Sequence, residues 1–197
     1  MAGNTTDAAV KRATLRRAGV LAGRLAGPFF LVSVGLNTWA SIDYLHQLGW
    51  EFVGGEQVPW PSALARGPYG WAQVATFAVT GVLIVILAVA VRDQLPHRRA
   101  SSFGVVLLGL LGVALILAVF QVDAPMLADG SPVTWHGRVH AIAFLLIIAT
   151  GVLGPLTMAL AVRGGPGWRR LSRRTPGDAS LQLWSARPAE SWRPLRA

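Results

Sequence analysis

The stretch FGVVLLGLLGVALILAVFQV, residues 103–122, decides how this chain is read. It contains no Asp, Glu, Lys, Arg or His. A helix of about 20 such residues matches the roughly 30 Å of hydrocarbon in a bilayer. Residues 72–91 and 141–162 are equally free of these side chains and of similar length. A fourth stretch, residues 27–45, is weaker because it holds Asn37 and Asp43. Buried helices of soluble proteins are rarely so long and so uniformly apolar. The pattern predicts an all-α, polytopic transmembrane helical bundle. Its four membrane-spanning helices, at about 27–45, 71–91, 103–122 and 137–162, run antiparallel, up and down.

Composition agrees. The 197 residues are 53% hydrophobic and only 14% charged, whereas about a quarter of an average soluble domain is charged. The net charge of +9 raises the question of nucleic acid, and its distribution answers it. Lys11, Arg12, Arg16, Arg17 and Arg24 precede the first span, and Arg92, Arg98 and Arg99 separate the second from the third. Arg163, Arg169, Arg170, Arg173, Arg174, Arg187, Arg193 and Arg196 follow the fourth. All of these fall on one side of the membrane, leaving only Arg66 and Arg138 for the other. The positive-inside rule accounts for that asymmetry with both termini cytoplasmic and needs no nucleic acid. Membrane lipids are the expected partners, with a homo-oligomer or a partner membrane subunit as further options. The Arg- and Ala-rich composition fits the inner membrane of a high-GC bacterium. The chain has no cysteine, which excludes disulfides, thiolate metal sites and covalently attached haem.

Three regions follow. Residues 1–25 form a basic cytoplasmic arm, read as a short or frayed helix. Arg16-Arg17 ahead of an apolar run imitates an export signal, but the run continues past Ala40 and three more spans follow. Residues 26–163 form the four-helix domain. Its first outer loop, His46 to Gly70, carries Trp50, Phe52, Trp60, Tyr69 and Trp71. Such rings suit a membrane interface, and a short helix is expected near Ser62 to Arg66. Pro96 lies in the tight loop between the second and third spans, and Pro155 should bend the fourth by freeing the Gly151 carbonyl. Residues 164–197 form a basic, Trp- and Arg-rich cytoplasmic tail without periodicity, read as disordered.

Polar residues in or beside spans are costly there and so are the candidates for function. Asn37, Ser41 and Tyr44 share a face of the first span, and Gln73, Thr76 and Thr80 a face of the second. His136, Ala143, Thr150 and Thr157 repeat every seven residues in the fourth, joined by His140 and Gly154. Interhelical hydrogen bonding and close packing explain such stripes without any ligand. At the outer ends of the spans lie Asp43, His46, Asp123, His136, Arg138 and His140. His136 and His140 are one helical turn apart and can point the same way. With Asp123, Asp43 or His46 as a third ligand they have the makings of a zinc site. No cofactor is identified from the residues. Haem would need His46 with His140, and nothing in the sequence marks a porphyrin pocket between them.

Three blocks resemble a known family. PSALARGPYGWAQVATFAVTGVL carries Ser62, Leu64, Gly67, Gly70, Trp71, Gln73, Phe77 and Gly81. FQVDAP carries Phe120 and Asp123, and WHGRVHAIA carries His136, Gly137 and His140. In order and spacing these resemble the prokaryotic membrane family known as domain of unknown function 998, over about residues 27–165. The resemblance implies a polytopic helical membrane protein with no established activity, in which Asp123, His136 and His140 act together. Members usually continue into about two further helices. Here residues from about 174 onward are polar, so the C-terminus reads as truncated or divergent.

Three functions of different classes remain open at this point. One is a non-enzymatic protein binding a lipid or partner through the outer polar cluster. A second is a metal-assisted lipid hydrolase using His136, His140 and Asp123. The third is a transporter, or a subunit of one, lined by the Asn37, Gln73 and Thr150 stripes.

Overall fold

The computed structural model describes residues 3–51, 60–92, 94–95, 99–123 and 133–162. The described part up to Ala161 is one compact unit. It is helical, with α1 at Gly3–Ala40, α2 at Ile42–Gln47, α3 at Gly70–Arg92, α4 at Arg99–Leu117 and α5 at Trp135–Val162. A 3₁₀ turn occupies Pro61–Arg66, where the sequence predicts a short helix. There are no strands among the described residues. Four helices, α1, α3, α4 and α5, are long and apolar enough to cross a membrane. The chain is a multi-pass membrane protein.

Helix boundaries depart from the sequence reading in instructive ways. The N-terminal arm and the first span are one helix, α1, which runs through Pro28. Its arm is rich in Ala, Leu and Arg, all strong helix formers, so nothing local ends it. The first span then stops at Ala40, where the Ser41 N–H reaches both Asn37 O and Thr38 O, and the chain restarts as α2. Asp43 therefore sits on α2 and not on the span. α2 closes with Gly49 at φ 76°, the Gly49 N–H on His46 O and the Trp50 N–H on Leu45 O. This is a Schellman cap, which needs a residue comfortable at positive φ. The turn folds Trp50 inward to 3% exposure, against Leu45, Ala63 and Leu64. Trp50 is thus a core residue, while Trp60, Tyr69 and Trp71 stay exposed as interface aromatics do. Phe52 and Pro96 lie outside the described residues, as does the whole tail from residue 163. α5 continues through Pro155.

The helices pack antiparallel in sequence order. Gly19 meets Ala90 and Gly23 meets Leu87 where α1 crosses α3. α3 and α4 meet at Gly81 and Gly112. A Cβ on Gly81 would stand 2.6 Å from Gly112 O, and one on Gly112 would stand 2.8 Å from Gly81 O. Backbone faces backbone there, flanked by the Val85 and Ile116 side chains, the small-residue packing that substitutes for a hydrophobic drive inside lipid. α5 returns along α4, with Gly104 against Met158 and Thr157. Phe77, Leu115, Ala118 and Ala143 form the shared core, and Phe30 of α1 joins it with its ring 6.3 Å from that of Phe77.

Candidate functional site

The three blocks singled out in the sequence come together at one end of the bundle, opposite the arginine-rich end. Thr134 precedes the first turn of α5, and its hydroxyl accepts the Gly137 N–H at 3.1 Å. That is an N-cap contact, satisfying one of the free donors at a helix start. The Asp123 carboxylate takes the next position outward. One oxygen accepts the Thr134 N–H at 2.8 Å and the other accepts the Thr134 hydroxyl at 2.5 Å. The hydroxyl bond to Thr134 holds the Asp123 carboxyl below the usual carboxylate range. The Thr134 backbone bond and the charges of His136 and Arg66 act in the same direction.

Gly137 has a steric reason to be glycine. A Cβ there would overlap the Asp123 carboxylate. The middle residue of the His-Gly-x-x-His block is therefore the space that admits the aspartate of the Phe-x-x-Asp block.

The two histidines of that block have different surroundings. His140 is 3% exposed, and its Nδ1–H donates to Phe120 O at 2.7 Å. A carbonyl only accepts, so the proton is on Nδ1. This bond holds the end of α4 against α5. His136 is exposed and stacks on Trp135, with ring centroids 3.7 Å apart. The Phe120 ring packs on Trp135 at 5.4 Å and on His136 at 6.1 Å. The first block closes the assembly from the other side. Arg66 Nη1 donates to Val122 O at 3.0 Å, and Gln121 Nε2 donates to Ala65 O at 3.3 Å. Arg66 and Gln121 are the residues of this rim that sequence reading missed as functional. Their role is carried by backbone carbonyls, which leave no motif.

Of the other candidates at this end, Asp43 and His46 lie exposed on α2 and Arg138 is exposed on α5. Among the described residues, no three His, Cys, Asp or Glu side chains group as ligands for one metal ion.

The intramembrane candidates divide. Asn37, Ser41 and Gln73 join into one buried chain between α1 and α3. Asn37 Nδ2 donates to Gln73 Oε1 at 3.3 Å, and the Ser41 hydroxyl donates to Asn37 Oδ1 at 3.4 Å. Gln73 is fully buried, and its Nε2 has no partner among the described residues. Thr76, Thr150 and Thr157 instead donate to carbonyls of their own helices. Thr80 is buried, and its hydroxyl has no partner among the described residues. Beside the Asn37 chain an open, mostly apolar groove of about 340 Å³ runs between α1 and α3, lined by Phe29, Ser33, Leu36, Tyr69, Trp71 and Thr76 among others.

A family model described as "Protein of unknown function (DUF998)" matches residues 61–177. No curated protein and no solved structure matches the chain. The matched stretch takes in all three blocks and more than half of the residues, and the chain belongs to the DUF998 family.

Proposed function

We propose that the protein is a non-catalytic membrane protein that binds a lipid through its headgroup at the rim built by the three blocks. The observation that carries this reading is how the rim's chemistry is used. The Asp123 carboxylate is committed to Thr134, and His140 is committed to the Phe120 carbonyl. Both groups join helix ends: the carboxylate is fixed against the start of α5, and the buried imidazole against the turn after α4. What faces outward is a fixed carboxylate near the Arg66 guanidinium and the His136 ring, with exposed Trp135 stacked on that ring. Opposite charges beside interfacial aromatics suit a zwitterionic headgroup, with its ammonium toward Asp123 and its phosphate toward Arg66.

The orientation belongs to the same reading: rim outside, arginine-rich end and both termini in the cytoplasm, in a bacterial inner membrane. With no native cysteine, Ser131→Cys and Ser172→Cys give clean reporters. An impermeant thiol reagent should label only Ser131→Cys in intact cells. Labelling of Ser172→Cys would refute the orientation.

The binding test is lipid retention. Wild-type protein in detergent, given phosphatidylethanolamine and phosphatidylglycerol, should retain one phosphatidylethanolamine through purification. Asp123→Asn should abolish that retention, as should His136→Ala with Arg66→Gln, which spares the cap. Absence of retained phosphatidylethanolamine from the wild type would overturn the reading. So would stoichiometric zinc in the purified protein, which would return His136, His140 and Asp123 to the role of ligands.

A further inference from the structure

The opposite end of α1 carries a feature that the rim does not explain. Arg16, Arg17 and Arg24 line one surface cavity of about 550 Å³, with Ala13, Val20 and Leu21 between them. All three arginines are exposed, and none is ion-paired among the described residues.

Their depth can be read from α3. Gly19 packs on Ala90 and Gly23 on Leu87, so the antiparallel register brings Arg17 level with Arg92. Arg92 is where the charge-free run of α3 ends. Arg24 lies seven residues further along α1, about 10 Å deeper at 1.5 Å per residue. It therefore stands at a level where its neighbour is wholly apolar. A guanidinium there is costly unless it reaches the interface or meets an anion.

Helix geometry supplies the direction. Side chains lean toward the helix N-terminus, so Arg24 leans back toward Arg17 and shares its cavity. Exposed Leu21, Leu25, Leu31 and Val32 continue along α1 toward the membrane interior.

We propose that Arg16, Arg17 and Arg24 form a binding site for the phosphodiester of one anionic phospholipid, with its acyl chains running along the exposed leucines of α1. The anion at the interface to which Arg24 leans back is a lipid phosphate, and guanidinium forks bind phosphate oxygens in pairs. A lipid is favoured over a water-soluble anion because only a lipid also covers the exposed Leu21 and Leu25 beside Arg24. The site is independent of the rim and of the reading built on it.

The full-length protein is reconstituted in vesicles of phosphatidylcholine containing a minor fraction of phosphatidylglycerol, re-extracted, and its retained lipid measured by native mass spectrometry. Wild type should retain one phosphatidylglycerol in preference to phosphatidylcholine, unaffected by added inorganic phosphate. Arg24→Gln and Arg17→Gln should each weaken the preference roughly fivefold, the effect of about one interfacial basic residue. Arg12→Gln removes the same charge from the same helix outside the cavity and should leave it unchanged. An equal loss with Arg12→Gln would show bulk charge attraction and overturn the site, as would a wild type that retains no phosphatidylglycerol above its share of the vesicle. Displacement by inorganic phosphate would overturn the lipid assignment. A circular dichroism melt of each variant checks folding. If Arg24→Gln fails to fold, Arg17→Gln against Arg12→Gln decides the question alone.

Discussion

Replacing Gly81 by alanine tests whether the α3–α4 crossing is held by backbone contact. The added Cβ would stand 2.6 Å from Gly112 O and 2.7 Å from Ile116 Cγ1, where ordinary contact begins at 3.4 Å. The nearer atom is backbone and cannot rotate aside, so α3 and α4 must separate by about 0.8 Å. A gap of about 0.5–1 Å forfeits a quarter to a half of each affected dispersion contact. Overpacking of this kind costs about 1–3 kcal/mol. Alanine's better helix propensity returns at most about 1 kcal/mol. With that full return the net loss should be up to about 2 kcal/mol, a fall of as much as roughly 8 °C in apparent melting temperature for a chain of this size. The assay is a thermal melt in detergent followed by tryptophan fluorescence. Gly151→Ala is the internal control, because a Cβ there meets nothing within 4 Å, and it should be neutral or stabilising. Gly112→Ala should behave like Gly81→Ala, and the double variant should lose less than the sum, because one separation serves both. A Gly81→Ala protein that melts at or above wild type would refute the reasoning. So would a Gly151→Ala protein that falls as far.

Other expectations follow from the rim and the buried chain. Gly137→Ala should lower the melting temperature by evicting Asp123 from Thr134; in an Asp123→Ala background the same change should be neutral or stabilising, and an equal loss in both backgrounds would exclude the steric account. The Asp123 carboxyl titrates lower in the folded state than unfolded, so its contribution is complete above the ordinary carboxylate value, about pH 4. That contribution is lost as pH falls through the lower folded value; acid melts should show the loss, and Asp123→Asn should flatten it. Asn37→Leu strands the fully buried Gln73 amide and should cost about 1–3 kcal/mol. Adding Gln73→Met should recover much of that loss, with a coupling of about 0.6–1.7 kcal/mol in a double-mutant cycle.

The bilayer crossings were legible because hydropathy is a local sum. Residues 72–91 and 103–122 announce themselves without reference to any neighbour; α3 covers the first run, while α4 starts at Arg99 and ends at Leu117, five residues before the second run does. The three blocks were legible as a pattern too, and residue spacing correctly placed His136 and His140 on one helix. Spacing says which way a side chain leaves its helix, but not what covers it. His140 is buried because the turn after α4 brings the Phe120 carbonyl to it, while His136, one turn earlier, meets Trp135 and solvent. Likewise nothing local marks Gly137 as the space for a carboxylate 14 residues away in the chain. Nor does anything local show that the arginines of the arm share one unbroken helix with the first span. Composition and periodicity thus determined that the chain crosses a membrane and where. Which polar groups hold the helices together and which remain free for a ligand was decided only by tertiary contact, because a hydrogen bond depends on the position of its partner and hydropathy does not.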